Sequence, residues 1–181
     1  MKLDFHRKDL YVVDNAYSAQ ACREIIADAT FTLELTNKFG EKFIDRAMRN
    51  DRGAVTRKTY GLLAKVRDVL PEAKGLNPLV RLSKYGLGGR CAAHTDAQFK
   101  TSTHTVLVFL STPKMGGETR FHHRSSHTDV KAVAGRMVIF GQDLVHESIE
   151  VLAGVKYTMR TDVLMSPVVV RRVPPRKNAK D

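Results

Sequence analysis

The sequence predicts an α+β chain, helical at its start and mainly β from residue 79 onward, with the strands closing into a sandwich or barrel. In the first third, apolar residues recur at helical spacing. From residue 79 the spacing changes to short runs rich in β-branched and aromatic residues, with Gly- or Pro-bearing turns between them. The chain has 181 residues, 43% of them hydrophobic, which suffices for one domain with a sizeable core. No internal repeat or linker divides it.

Taken in order, "SAQACREIIADAT" places Ala21 or Cys22, Ile25, Ile26 and Ala29 on one helical face behind Ser18, whose hydroxyl suits an N-cap. "EKFIDRAMRNDRGAV" reads as a shorter helical piece running into a polar turn at Asn50, Asp51, Arg52 and Gly53. "TRKTYGLLAKVRDVLPEA" repeats the helical pattern through Leu62, Leu63, Val66, Val69 and Leu70, and Pro71 closes it. Eight strand-like runs follow: "LVRLSKY", "THTVLVFLS", "ETRFHH", "DVKAVA", "RMVIFG", "LVHESIEVL", "VKYTMRTDVLM" and "PVVVRRV". Gly86, Gly88 and Gly89 are expected to take positive φ after the first run, Gly116 and Gly117 open the third, and Gly135 makes a tight hairpin. The domain is expected over residues 1–170, with helical support over about 1–75 and a strand core over about 79–170. Residues 171–181 form a basic tail.

The net charge of +11 allows an acidic or nucleic-acid partner, but part of the excess lies in that tail, where it serves solubility equally well. No run of eighteen apolar residues occurs, and charges are scattered through the first nine positions. The expectation is therefore a soluble cytoplasmic protein without a membrane span or secretory signal. Cys22 and Cys91 form no Cys-x-x-Cys pair, so neither a disulfide-stapled fold nor a zinc ribbon is expected.

Chemistry concentrates in "AAHTDAQF", where His94 and Asp96 stand two residues apart and so leave one face of a strand together. In "FGQDLVHESIEV", Leu144, His146 and Ser148 share another face. Two histidines and a carboxylate on three corners of a metal leave three positions open, as in non-haem iron oxygenases. The spacing alone is equally that of a surface hydrogen bond. Lys156, Thr158, Arg160 and Asp162 project to one side of a later strand. A basic residue buried there needs an anion, which a bound dicarboxylate would supply; surface salt bridges on an exposed strand are the alternative. His6 and His104 read as ordinary core or surface residues. His122, His123 and His127 read as a solvated loop in "FHHRSSHTD", with peripheral substrate contact the weaker reading.

"RLSKYGLGGRCAAHTD", "THTVLVFLSTPKMGGETRFH" and "VKAVAGRMVIFGQDLVHESIEVLAGVKYTMRTDVLM" together resemble the iron(II) and 2-oxoglutarate dependent dioxygenases, in their prolyl 4-hydroxylase-like branch, over roughly residues 79–165. The resemblance implies a double-stranded β-helix, or jelly roll, with N-terminal supporting helices. It implies Fe(II) at His94, Asp96 and His146, and the distal carboxylate of 2-oxoglutarate at Lys156. Tyr85 would donate to the same cosubstrate, and Leu107, Phe109 and Thr119 would wall the pocket. Phe109 stands where some relatives carry a tyrosine, so one hydrogen bond to the cosubstrate is absent. Arg160 is a second anion contact, to the substrate among the choices, or alternatively the partner of the distal carboxylate. The implied reaction couples oxidative decarboxylation of 2-oxoglutarate by dioxygen, giving succinate and carbon dioxide, to hydroxylation of a C–H bond, with ascorbate as reductant. "MRNDRGAV" resembles a polar loop over the active site, making Asn50 and Arg52 substrate contacts, or else a plain turn. A prolyl or other side chain in a protein or peptide is the first choice of substrate, and a free amino acid or small metabolite is the alternative. A nucleic-acid demethylase is less favoured because "KYTMRTD" lacks that subfamily's arginine-rich ending. A non-catalytic ligand-binding jelly roll would be favoured by loss of a metal residue, and none is lost.

Overall fold

In the computed structural model, residues 9–32, 51–96 and 102–165 are described. Strand β1 (Leu10–Val13) leads to helix α1 (Ala19–Ala27), capped as expected by Ser18, whose Oγ accepts from the Ala21 amide. After β2 (Arg52–Thr56) comes α2 (Leu62–Arg67), followed by β3 (Gly75–Leu76), β4 (Val80–Tyr85), β5 (Cys91–His94) and β6 (Ser102–Phe109). The chain continues through β7 (Met115–Gly116), β8 (Thr119–His122), β9 (His127–Val130), β10 (Met137–Gly141), β11 (His146–Ser148), β12 (Val151–Ala153) and β13 (Lys156–Leu164).

The fold is a jelly roll of antiparallel sheets. The major sheet runs β1-β10-β6-β13-β4-β2, with β3 added on β13; the minor sheet runs β5-β11-β8-β9; and β12 pairs with β7. Two cores follow from strand alternation. On the outer face of the major sheet, Val80, Leu82, Val106, Val108, Ile139 and Met159 pack against Cys22 and Ile25 of α1 and Leu62 and Val66 of α2. Between the sheets, Phe109 and Phe140 from the major sheet meet Phe121 and Val130 from the minor one. Burying each of these phenylalanines fully contributes about 2–3 kcal/mol. They close one half of the space between the sheets, and polar side chains occupy the other half.

Several expectations are corrected. Arg52 and Gly53 lie in β2, paired with Lys84 and Ser83 of β4, because a free sheet edge recruits the β-branched Val55 and Thr56 that the turn reading ignored. Helix α2 ends at Arg67, short of Pro71. The helical support over residues 1–75 therefore also contains β1 and β2. Of Gly86, Gly88 and Gly89, only Gly88 takes positive φ, at 73°. The run from Leu144 to Leu152 divides into β11 and β12, and the strand expected over 129–134 is β9, ending at Val130. His122 and His127 are cross-strand partners on β8 and β9, so only a tight connection remains of the loop expected there. The run "PVVVRRV" and the basic tail lie outside the described residues. Among the described residues no helix is long and apolar enough to cross a membrane.

Candidate metal centre and cosubstrate pocket

His94 ends β5, and Asp96 follows two residues later, its amide fixed by the carbonyl of Gln142 at 2.9 Å. β11 brings His146 opposite His94 as its direct cross-strand partner. Ala93 and Thr95 are exposed, whereas Asp96 and His146 are buried, which is the alternation predicted for an extended segment. Nε2 of His94 lies 3.7 Å from Asp96 Oδ1 and Nε2 of His146 lies 3.6 Å from Asp96 Oδ2. Among the described residues these three form the metal-competent cluster, with one donor atom from each within 4.8 Å of the others.

The donor chemistry fits a divalent ion. Nδ1 of His94 donates to the Ala92 carbonyl at 2.7 Å and Nδ1 of His146 to the Leu144 carbonyl at 3.0 Å. Both rings therefore present an unprotonated Nε2 to the centre. Burial pushes His146 down to about 4, keeping it neutral at ordinary pH, and the edge of Phe140, 4.6 Å between ring centroids, fixes its plane. His94 is shifted upward, first by the Cys91 thiol, 3.7 Å from its Nδ1. Both Asp96 oxygens are held from the opposing sheet: Thr105 Oγ1 donates to Oδ2 at 2.8 Å, and Arg160 Nη2 lies 2.7 Å from Oδ1.

A pocket extends from these ligands across the pocket-facing side of β4 and β13. Lys156 lies at its inner end, 1% exposed, which disposes of the exposed-strand reading. Its Nζ donates to Ser148 Oγ at 2.8 Å, lies 3.5 Å from Thr119 Oγ1, and sits 5.3 and 5.4 Å from the ring centroids of Tyr85 and Phe109. No carboxylate forms an ion pair with it among the described residues. Removal from water pushes Lys156 down to about 7, against the more distant pull of Cys91, Glu118 and Asp51.

Leu107, Thr119 and Tyr85 line the pocket as expected, while Phe109 lies fully buried beneath Lys156 rather than at the surface of the wall. Arg160 lines the pocket but grips Asp96. Arg52 is exposed on β2 and does not line the pocket, and Asn50 lies outside the described residues. His122 Nε2 donates to Glu147 Oε1 at 3.0 Å. Sequence reasoning missed Arg81, Ser83, Ser148 and Cys91, which also line the pocket, and Thr105 behind Asp96. Strand alternation carried the signal for four of them, because Arg81 and Ser83 share the face of Tyr85, Ser148 that of His146, and Thr105 that of Leu107.

Residues 80–161 match the 2OG-Fe(II) oxygenase superfamily. No curated protein matches the chain. In fold it is similar to the collagen prolyl hydroxylase of Paramecium bursaria Chlorella virus-1 in complex with 2OG, at 19% identity and a TM-score of 0.66, over 87% of this chain and 97% of that one. It is similar to a Pseudomonas putida prolyl-4-hydroxylase at 13% identity and a TM-score of 0.67, over 91% and 96%. A Trichoplax adhaerens prolyl hydroxylase, solved with a hypoxia inducible factor oxygen degradation domain peptide, aligns at 14% identity and a TM-score of 0.69, over 88% and 84%.

Proposed function

Because residues 80–161 match the 2OG-Fe(II) oxygenase superfamily, we propose that the chain is such an oxygenase and hydroxylates a C–H bond of an amino-acid side chain, prolyl in the first instance, in a protein or peptide. His94, Asp96 and His146 would hold Fe(II), and Lys156 would take the distal carboxylate of 2-oxoglutarate. The three names that the fold neighbours share support the prolyl assignment.

The observation that carries the cosubstrate assignment is the buried Lys156 ammonium, supplied among the described residues with hydroxyls and rings but with no carboxylate. A cation taken out of water persists only with an anionic partner, and the pocket leads from this one to the metal ligands. Bound iron supplies the redox chemistry by which dioxygen converts 2-oxoglutarate to succinate and carbon dioxide while the substrate is hydroxylated. The chain's own residues do the positioning. Ser148 and Thr119 orient the Lys156 amine, Tyr85 and Phe109 shield it from water, and Leu107 gives the pocket an apolar wall. Thr105 and Arg160 fix the Asp96 carboxylate so that its lone pairs meet the two Nε2 atoms.

Anaerobic protein given Fe(II) and 2-oxoglutarate is expected to develop the weak visible charge-transfer band of the chelate, and succinate formation against a peptide panel identifies the substrate. A band unchanged in His94→Ala and Asp96→Ala would refute the metal assignment.

A further inference from the structure

Lys156 accounts for one cationic end of the pocket, and the opposite end holds two arginines that the cosubstrate leaves unused. Arg81 on β4 and Arg160 on β13 are direct cross-strand partners, and both line the pocket beside His94 and His146. Like charges directly opposite on one sheet face repel. Arg81 Nη2 lies 3.5 Å from Asp51, and its Nε donates to Ser83 Oγ at 3.2 Å. Arg160 Nη2 faces Asp96 at 2.7 Å and Asp162 at 3.6 Å. Its Nε, on the same edge of the guanidinium, is buried without a hydrogen-bond partner among the described residues.

Three considerations fix what belongs there. Arg160 and Lys156 are four residues apart on one strand, roughly 13 Å along it, so an anion at the arginines is separate from one at Lys156. Metal binding commits the Asp96 charge to the ion, which leaves Arg160 less neutralised than it is here. Asp162 is turned toward the amides of Asn77 and Gln142, at 2.9 and 3.3 Å. With Asp51 beside Arg81, the pair then carries charge for about one monoanion, and the planar guanidinium fork matches a carboxylate. A phosphate dianion would be crowded by the carboxylates already present.

Resting on the oxygenase reading above, we propose that Arg81 and Arg160 form a substrate-anion site, so that the molecule hydroxylated here bears a carboxylate held between them. The carboxylate is either the α-carboxylate of a free amino acid or an acidic group within a peptide.

The test uses full-length protein loaded anaerobically with Fe(II) and 2-oxoglutarate. The probes are the free amino acids against their α-amides, peptides differing only as Asp against Asn or Glu against Gln, a neutral prolyl peptide, and a short oligonucleotide. The readouts are perturbation of the charge-transfer band and, after admitting air, succinate release. A carboxylate member is expected to act at about tenfold lower concentration than its amide, the effect of one charge-assisted contact, and Arg81→Gln is expected to erase most of that preference. Response to free amino acids or to acidic peptides tells the two carboxylate sources apart. Equal response to carboxylate and amide overturns the proposal, as does response only to the neutral peptide or the oligonucleotide, or a band indifferent to every carboxylate. A rise in the 2-oxoglutarate requirement of Arg81→Gln matching its loss of preference overturns it too, by returning the arginine to the cosubstrate. Absence of the band in the unaltered protein refutes the oxygenase reading instead.

Discussion

Arg160 Nη2 stands 2.7 Å from Oδ1 of Asp96, so a guanidinium on the major sheet sets the orientation of a carboxylate that leaves the minor sheet. Partners of this kind typically contribute 10- to 100-fold in metal affinity. Arg160→Met is therefore expected to weaken Fe(II) binding by about tenfold or more and to shift the charge-transfer band. Arg160→Lys is expected to recover part of both, because it restores the charge without the planar fork. Anaerobic Fe(II) titration checks this, and an affinity unchanged in Arg160→Met would remove the residue from the metal centre.

Removing the metal with a chelator is expected to abolish succinate formation, with Fe(II) restoring it and Zn(II) failing to, since zinc has no redox chemistry to offer. His146→Ala should behave like the chelated protein even when Fe(II) is present in excess. Activity that survives exhaustive chelation would contradict the assignment.

The depressed Lys156 gives the cosubstrate affinity a pH dependence of defined sign. Below about 7 the empty-site amine already carries its proton, and the affinity is level. Above that pH, binding a dicarboxylate requires the amine to take up a proton, so the apparent affinity should fall by up to about tenfold per pH unit. Band titrations between about pH 6 and 9 read this directly. Lys156→Met should bind 2-oxoglutarate weakly and without that slope; a slope that persists in it would assign the titration to another group.

Phe140 is fully buried between the sheets, with its ring edge against His146. Phe140→Ala is expected to cost about 3–5 kcal/mol of stability through the cavity it leaves. Denaturant unfolding followed by circular dichroism measures the loss. Metal affinity should fall as well, because the freed imidazole must be ordered by the ion; a variant that loses stability but keeps wild-type affinity would show that the ring is held by Leu144 alone.

That His146 and Lys156 join His94 and Asp96 was implied by the family resemblance, because spacing across several strands does not fix it. What the residues themselves gave was the shared face of His94 and Asp96, since strand alternation is a local rule. The helix behind Ser18 was readable for the same reason, since cap and apolar stripe lie within one stretch. What escaped was set by pairing between distant segments. Nothing near Arg52 announces that β4 lies beside it, and neither Thr105 nor Arg81 marks itself as the neighbour of a carboxylate or of a second arginine. For Arg160 the chain suggested an anion contact, to cosubstrate or substrate, and not its contact with Asp96, because Asp96 stands 64 positions earlier and on the other sheet.

β5 is four residues long and is the terminal strand of the minor sheet, where His94 and His146 stand as neighbours across its hydrogen-bonded side. An ion shared by those imidazoles fastens that border strand to the rest of the molecule, and amide exchange over Ala92 to His94 should slow when Fe(II) is added. An unloaded chain is then one whose border can fray and offer its backbone to another strand. Iron supply would thus govern the solubility of newly made molecules as well as how many of them turn over.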